Sequence, residues 1–550
     1  MAGQHFSRSA RTRTFRLSSV FAIIAAAGIA AAGSINVQAR DLTAAVNSNF
    51  STLDTWDAID NLSRAVSSSI YEGLYRFDTN LTPQPQLAES YTVSDDGLVY
   101  TFKLRPNVKY QDGSDFTAET VKMNFDRGMN PASKLTRRTF FSFVDKVEAV
   151  DPLTVRFTLK QPTAGFIARL SNGTASMVCP SLLKKAAAAG DAAAAKKVTA
   201  YEACGTGPYT LKHFEPTEVL EVVKNPNYRV AGLPKFDSLR WVPVAENSTR
   251  AMMLRTGEAQ FIWPVPAEQV KALEADGKLS IQKTPSVVTR YISMNETKKP
   301  FNDVRVRKAI SLAINRNALI KVAYNGLAVP STGYLPPQIE GAVNYGPFPY
   351  DPKAARELLK EAGFPEGFHA TLWSAYNDGK TLKTLQFLQQ QLAQVGIHVE
   401  TRALEAGQRS LIYSAQTPAD SQHQLYLIGW TNSAAEPDWG LRPLLDSRSA
   451  PPVLNNDSYY KNPKVDELFD KAAAEPNPQK RVALYKELQD TVNADSPWAP
   501  LVFEMMTAGE NNDDGGRSKA AQKLCRPPRR KLRLLSGGMA GISSSPLKVN

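Results

Sequence analysis

Few side chains in this 550-residue sequence are spaced for bond-making chemistry. The five histidines, His5, His213, His369, His398 and His423, are scattered. None forms a His-x-x-x-His pair or stands beside a cysteine, so no metal-ligand spacing is written into the chain. There is no Gly-x-x-x-x-Gly-Lys phosphate loop and no Gly-x-Ser-x-Gly nucleophile elbow. Acidic residues are plentiful, but an acid–base pair is defined by separation in space, and the sequence singles none out. The three cysteines, Cys179, Cys204 and Cys525, are too few for a disulfide scaffold and match no zinc spacing. The residue types therefore favour recognition over catalysis. We expect no catalytic residue, no metal and no cofactor, with a secreted peptidase as the competing class.

The charge does not point to nucleic acid. The net charge of +12 is concentrated at the ends: Arg8, Arg11, Arg13 and Arg16 precede residue 40, and nine basic residues follow residue 514, with no acid in either stretch. Residues 40–514 are nearly neutral, so a basic binding surface is not expected there. The N-terminal arginines are followed by an apolar run from Val20 to Ala32, too short to span a bilayer comfortably, and then by Val37 and Ala39 at the −3 and −1 positions of a cleavage site. This pattern predicts a cleavable signal peptide over 1–39 and a protein free in the periplasm. In that oxidising compartment, Cys179 and Cys204 flank one predicted helix. A bond between them would close a loop of about 25 residues and contribute about 3 kcal/mol.

The elements that must position any site alternate between strand and helix. Thr92 to Leu104 predicts a hairpin turning at Asp96-Gly97. Phe116 onward opens a helix with Thr117 as N-cap. Leu182 to Lys197, rich in Ala and Lys, predicts one helix. Further helices are expected over 351–363, capped by Asp351 with Pro352 in the first turn, and over 381–395, stopped by Gly396. A strand through Val399 to Arg402 follows. The alternation predicts an α/β protein with parallel strands and crossover helices, of more than one domain given the length. Asn49, Phe50, Ser51 and Thr52 follow the first strand, where open α/β sheets gather ligands.

Four blocks, in order, resemble the extracytoplasmic solute-binding proteins that serve peptide and nickel ABC importers (family 5). They are LAESYTVSDDGLVYTFKLRPNVKYQDG from Leu87, continuing into FTAETVK from Phe116; GTGPY from Gly205; PFNDVRVRKAISLAINR from Pro300; and YDPKAARELLKEAG from Tyr350. Shorter phrases resemble the glutathione-importing branch of that family: NFSTLD from Asn49, TGEAQF from Thr256, RYISMN from Arg290, LQQQLAQVGI from Leu388, and Gly429-Trp430 ahead of Asp438-Trp439.

The resemblance implies a two-lobed periplasmic binding protein fold with a hinge and an additional domain, the three-domain class II type. Domain I would comprise 40–75, 205–285 and 490–508, domain II 76–204 and domain III 286–489. The implied partners are a small-molecule ligand, glutathione or a short peptide, and the membrane subunits of an ABC importer. No nucleic acid is implied, and the protein is expected to be a monomer. Di- or oligopeptides and haem or nickel chelates are the alternative ligands within the family.

Peptide-binding relatives hold the peptide amine with an Asp three residues after the Gly-Trp pair. Here Ser433 takes that place, leaving Glu436 and Asp438 as nearby acids for an amine, or as members of a solvated loop. Trp430 is a candidate cleft wall, or a core aromatic. Arg137, near where nickel-complex binders use an arginine, and Arg290, beside Tyr291, are the carboxylate candidates.

The resemblance ends after about Ala508. The remaining basic tail, 509–550, has no aromatic residue and carries Pro527 and Pro528. Such a composition buries too little apolar surface to offset its ordering entropy, so disorder is expected over 510–550. A shifted reading frame would produce this pattern, and an anion-binding basic arm is the alternative.

Overall fold

The computed structural model describes residues 41–58 and 60–512; the expected signal segment and residues 513–550 of the tail lie outside the described residues. Within the described residues, eleven strands join one mixed sheet. Its first strand, Asp41–Val46, is parallel to Ser238–Pro243 on one side and to Phe261–Trp263 on the other. A strand flanked in this way is covered on both faces, and Ala44, Ala45 and Val46 are accordingly all buried. At the far edge, Phe368–Ser374, the helix Gly379–Ala393 and Ile397–Ala403 form a parallel strand–helix–strand unit. Asp378 caps that helix, and Gly396, at φ 89°, makes the turn into the last strand.

Two long strands, Leu279–Met294 and Trp498–Asn511, pair antiparallel and run through both halves of the sheet. Their register slips between Pro285 and Thr289.

A separate four-stranded antiparallel sheet has the order Ala88–Val93, Val99–Leu104, Thr154–Leu159, Val144–Asp151. Gly97, at φ 70°, turns the first hairpin. The helix Ala118–Met129 starts with a reciprocal capping box between Thr117 and Thr120. Phe102, Phe125, Phe157 and Phe166 fill the core of this region.

Two expectations need correction. Leu182 to Lys197 is not one helix but parts of two, Pro180–Ala187 and Ala192–Tyr201. Gly190 breaks the run at φ 106°, and Asp191 caps the second helix through the Ala194 N–H. The tail does not begin at 509. Gly509, Glu510 and Asn511 continue the last strand, opposite Ile262, Phe261 and Leu279. Two neighbouring strands present hydrogen-bonding edges there, and a β-carbon on Gly509 would meet Leu254 at 2.7 Å. The ordered ladder therefore extends past the end of the family resemblance.

Candidate functional site

The loop after the first strand does not present its four residues alike. Asn49 is exposed, whereas Phe50 is buried with its ring 6.1 Å from Phe214. The buried Thr52 accepts from the Asp54 N–H at 3.1 Å. The Ser51 N–H donates to Ser63 Oγ at 2.8 Å, and its hydroxyl donates to Asp60, the N-cap of the helix Asn61–Ser67. The loop thus clamps the start of a short helix. That helix carries Arg64.

Arg64 is only 4 % exposed. Its Nε donates to the Asp60 carbonyl at 3.4 Å and its Nη2 to the Asn61 side chain, while its Nη1 is buried with no partner. Burial lowers its pKa to about 10, against the opposing pull of Asp60.

Arg137 precedes the 3₁₀ turn Arg138–Phe141, and its N–H donates to the Trp56 carbonyl at 3.0 Å. Its Nε donates to Thr174 Oγ1 at 2.6 Å, and its guanidinium lies 4.9 Å from the centre of the Phe140 ring. Its Nη2 is buried without a partner. Burial lowers its pKa far below the usual value, and the nearby Arg64 charge lowers it further. Among the described residues, neither arginine has a carboxylate within ion-pair distance.

A polar chain leads from Arg137 to the other half of the molecule. The Thr174 hydroxyl and N–H both donate to Asn172 Oδ1, at 2.8 and 3.0 Å, and Asn172 Nδ2 donates to the Ser433 carbonyl at 2.7 Å. Ser433 therefore contributes its backbone to a contact between distant segments. Its neighbour Ala434 packs into the same core cluster as Phe140 and Phe166.

Glu436 and Asp438 are not on a solvated loop. Glu436 caps the helix Pro437–Leu445, accepting from the Asp438 and Trp439 N–H groups at 2.7 and 2.8 Å. Asp438 lies 3.0 Å from Arg169 and 2.7 Å from Arg442, while Glu436 lies 3.5 Å from Arg169. Both acids are buried and already face cations. Burial raises the Glu436 pKa, the Arg169 charge opposes that rise and the Asp438 charge adds to it. Trp430 is half-buried and donates through Nε1 to the Trp439 carbonyl at 2.9 Å. A cavity of about 240 Å³, lined by Phe143, Arg169, Asp438, Trp439 and Arg442 among others, lies between these segments.

Two candidates on the strand beside Gly429 and Trp430 are engaged within the protein. Tyr291 is a core residue, 1 % exposed and stacked on Trp498 at 4.3 Å. Arg290 is taken by Glu504, at 2.8 Å, and stands over the Tyr376 ring. Neighbouring strand residues point to opposite faces, so this pair could not share one ligand surface. Cys179 and Cys204 are joined in a disulfide with their Cα atoms 5.5 Å apart.

The sequence reading missed Arg64, Arg169, Asn172 and Thr174. The available signal was an arginine inside otherwise small or apolar helical segments, NLSRAVS and FIARL.

Residues 82–452 match the family described as "Bacterial extracellular solute-binding proteins, family 5 Middle". The chain is 46% identical over 492 residues to the glutathione-binding protein GsiB of Escherichia coli (strain K12), covering 89% of this chain and 94% of that protein. The GsiB protein of Shigella flexneri is equally similar, at 46% over the same shares. Among solved structures, the periplasmic binding protein DppA from Helicobacter pylori, in complex with the peptide STSA, superposes with a TM-score of 0.74 at 29% identity, covering 86% of this chain and 94% of that one.

Proposed function

The chain belongs to the family 5 bacterial extracellular solute-binding proteins and has their fold, and on that premise we propose that it captures glutathione and delivers it to the membrane subunits of an ABC importer. The observation that carries this reading is the buried Arg137 guanidinium, which has an unpartnered N–H and, among the described residues, no carboxylate within ion-pair distance to neutralise it. Glutathione brings two carboxylates. The likeness to the glutathione-binding relatives selects this solute from among the family's ligands. Ser433, standing where peptide binders of the family have an Asp, offers no side-chain charge to a peptide's α-amine, which favours a γ-linked ligand.

In this reading the solute closes the lobes by the contacts it gains only in the closed form. The register slip between Pro285 and Thr289, in the strand common to both halves, is the hinge candidate. The hydrogen bond from Asn172 to Ser433 and the Arg169 ion pairs are contacts of the closed form. No bond of the solute is broken. The signal segment over 1–39 directs export and is removed, and the mature protein acts as a monomer in the periplasm.

Calorimetry and melting curves with glutathione, glutathione disulfide and dipeptides test the assignment. Glutathione at one hundred times its Kd is expected to add about 2.7 kcal/mol of stability and to be recovered intact. A melting shift with dipeptides but none with millimolar glutathione would overturn the choice of solute. Hydrolysed glutathione would overturn the transport reading.

A further inference from the structure

We propose that Arg64 joins Arg137 in a two-guanidinium seat for a single carboxylate of the solute, which makes that carboxylate a condition of capture. This rests on the solute-binding reading above and assigns one end of the ligand to one place.

Arg64 and Arg137 come from distant segments and are brought together by the turn Gly173–Ala175. Thr174 of that turn accepts from Arg137, and a β-carbon at position 173 would stand 4.0 Å from the Arg64 carbonyl. Each guanidinium keeps one buried N–H donor without a partner, Nη1 on Arg64 and Nη2 on Arg137. A buried donor left unmade is costly, and two buried like charges are costlier. Two other deeply buried arginines meet that cost with full sets of acceptors, and Arg169, whose Nε is also buried without a partner, meets it with the Glu436 and Asp438 carboxylates. Arg250 donates to the Pro264 and Val244 carbonyls and to Asn247, and Arg316 donates to the Pro500 and Ser311 carbonyls and to Ser311 Oγ. Arg64 has the Asp60 carbonyl and the Asn61 side chain and Arg137 has the Thr174 hydroxyl, but among the described residues neither has an acceptor for its last buried N–H. A carboxylate supplies what is missing: two oxygens with lone pairs enough for two planar forks, and a negative charge between two positive ones. Each arginine alone could be a surplus cation. The pair, with two orphan donors and mutual repulsion, is matched by an anion.

The experiment uses the purified protein in sodium acetate or in sodium chloride at equal ionic strength. It also uses glutathione and two analogues, the glycine ethyl ester and the 4-aminobutyryl compound that lacks the glutamyl α-carboxylate. Arg64→Met is expected to melt no lower than the unsubstituted protein in chloride, because it removes an uncompensated buried charge. It should lose the additional stabilisation by acetate and bind glutathione about tenfold to a hundredfold more weakly. One analogue already lacks the seated carboxylate, so the substitution should leave its affinity unchanged, while the other analogue shows the full loss.

A lower melting temperature with unchanged glutathione affinity would make Arg64 a structural residue and overturn the seat. Equal losses for both analogues would also overturn it. If the unsubstituted protein ignores glutathione but shows an acetate effect that Arg64→Met abolishes, the choice of solute fails and the seat stands. If glutathione binds both proteins alike, the seat fails and the function stands. Should Arg64→Met not fold, Arg64→Gln is read on the same scale.

Discussion

Arg290 sits on the strand Leu279–Met294 with its Nε 2.8 Å from the Glu504 carboxylate, and Lys380 reaches the same oxygen at 2.7 Å from the helix Gly379–Ala393. Arg137 has a hydroxyl, an aromatic face and another arginine for company. In the first region the charges are settled within the protein. In the second they are left open. Burial alone would raise the Glu504 pKa, but the Arg290 and Lys380 charges overcome it and hold it at about 2. Among the described residues no comparable acid holds Arg137. An arginine is available to a ligand when the fold has placed no carboxylate against it, and that is a property of the surroundings rather than of the residue.

The largest effect is expected from breaking the settled region. Glu504→Gln would leave two cations facing each other around a neutral amide, at a cost of about 3–5 kcal/mol measured by urea unfolding. The pH dependence has a defined sign. The folded pKa of Glu504, about 2, is below the ordinary glutamate value of 4.5. Its contribution to stability is therefore fully present above pH 4.5 and is lost as the pH falls towards 2. The Glu504→Gln protein should show a smaller loss of stability over that window than the unsubstituted protein. Equal slopes would show that Glu504 is not the group responsible.

The open region is braced by a covalent bond rather than by charge. The Cys179–Cys204 disulfide follows closely on the turn that carries Thr174, and replacing both cysteines by serine is expected to cost about 3 kcal/mol. Among the described residues the Arg290 region has no such link. A reducing agent should lower the melting temperature of the Glu504→Gln protein and of the unsubstituted protein by similar amounts, because the two sites share no hydrogen-bond or ion-pair partner among the described residues.

Binding should reverse the ranking of the two arginines. Arg137→Met is expected to weaken glutathione binding by about 2–3 kcal/mol, from loss of a charged hydrogen-bond donor, as read by calorimetry. Arg290→Met should lower stability through the uncompensated Glu504 and leave the affinity within about threefold. Equal loss of affinity from both substitutions would remove the distinction between the settled and the open region.

What the sequence made legible was local. The hairpin turning at Gly97, the caps at Thr117 and Asp351 and the strand after Gly396 each rest on side chains within a few residues of one another. The parallel strand–helix–strand unit at the edge of the large mixed sheet follows from the helix–strand alternation, and the small antiparallel sheet from the hairpin signal, whereas the antiparallel pairing of the two long strands has no local signal. The site was legible only in part. Arg137 could be nominated by resemblance, but Arg64 becomes visible only when residues some seventy and more than a hundred positions away fold against its helix. Two features of the candidates' placement had local signals. Arg290 and Tyr291 are consecutive in a strand and must face opposite ways. An acid immediately before a proline at a helix start, as in Glu436-Pro437, reads as an N-cap, so its carboxylate was already committed.

The smallest expected effect also probes the comparison most finely. Among the described residues Thr174 Oγ1 is the one oxygen that holds the Arg137 guanidinium, at 2.6 Å, and the same hydroxyl donates to Asn172, which reaches Ser433. Thr174→Val keeps the shape and removes the acceptor, so Arg137 gains a second unpartnered donor. The expected cost is about 1 kcal/mol in stability, with a fall in glutathione affinity of about fivefold. If Thr174 acts by orienting Arg137, the two effects on binding are not independent. In a double-mutant cycle, Thr174→Val should add almost nothing once Arg137→Met is in place. If Thr174 instead acts only through the Asn172–Ser433 contact, the two losses should sum. Arg290 supplies the control, because Thr174→Val combined with Arg290→Met should be additive in both stability and binding. A cycle that closes additively for both arginines would place Thr174 outside the recognition of the solute.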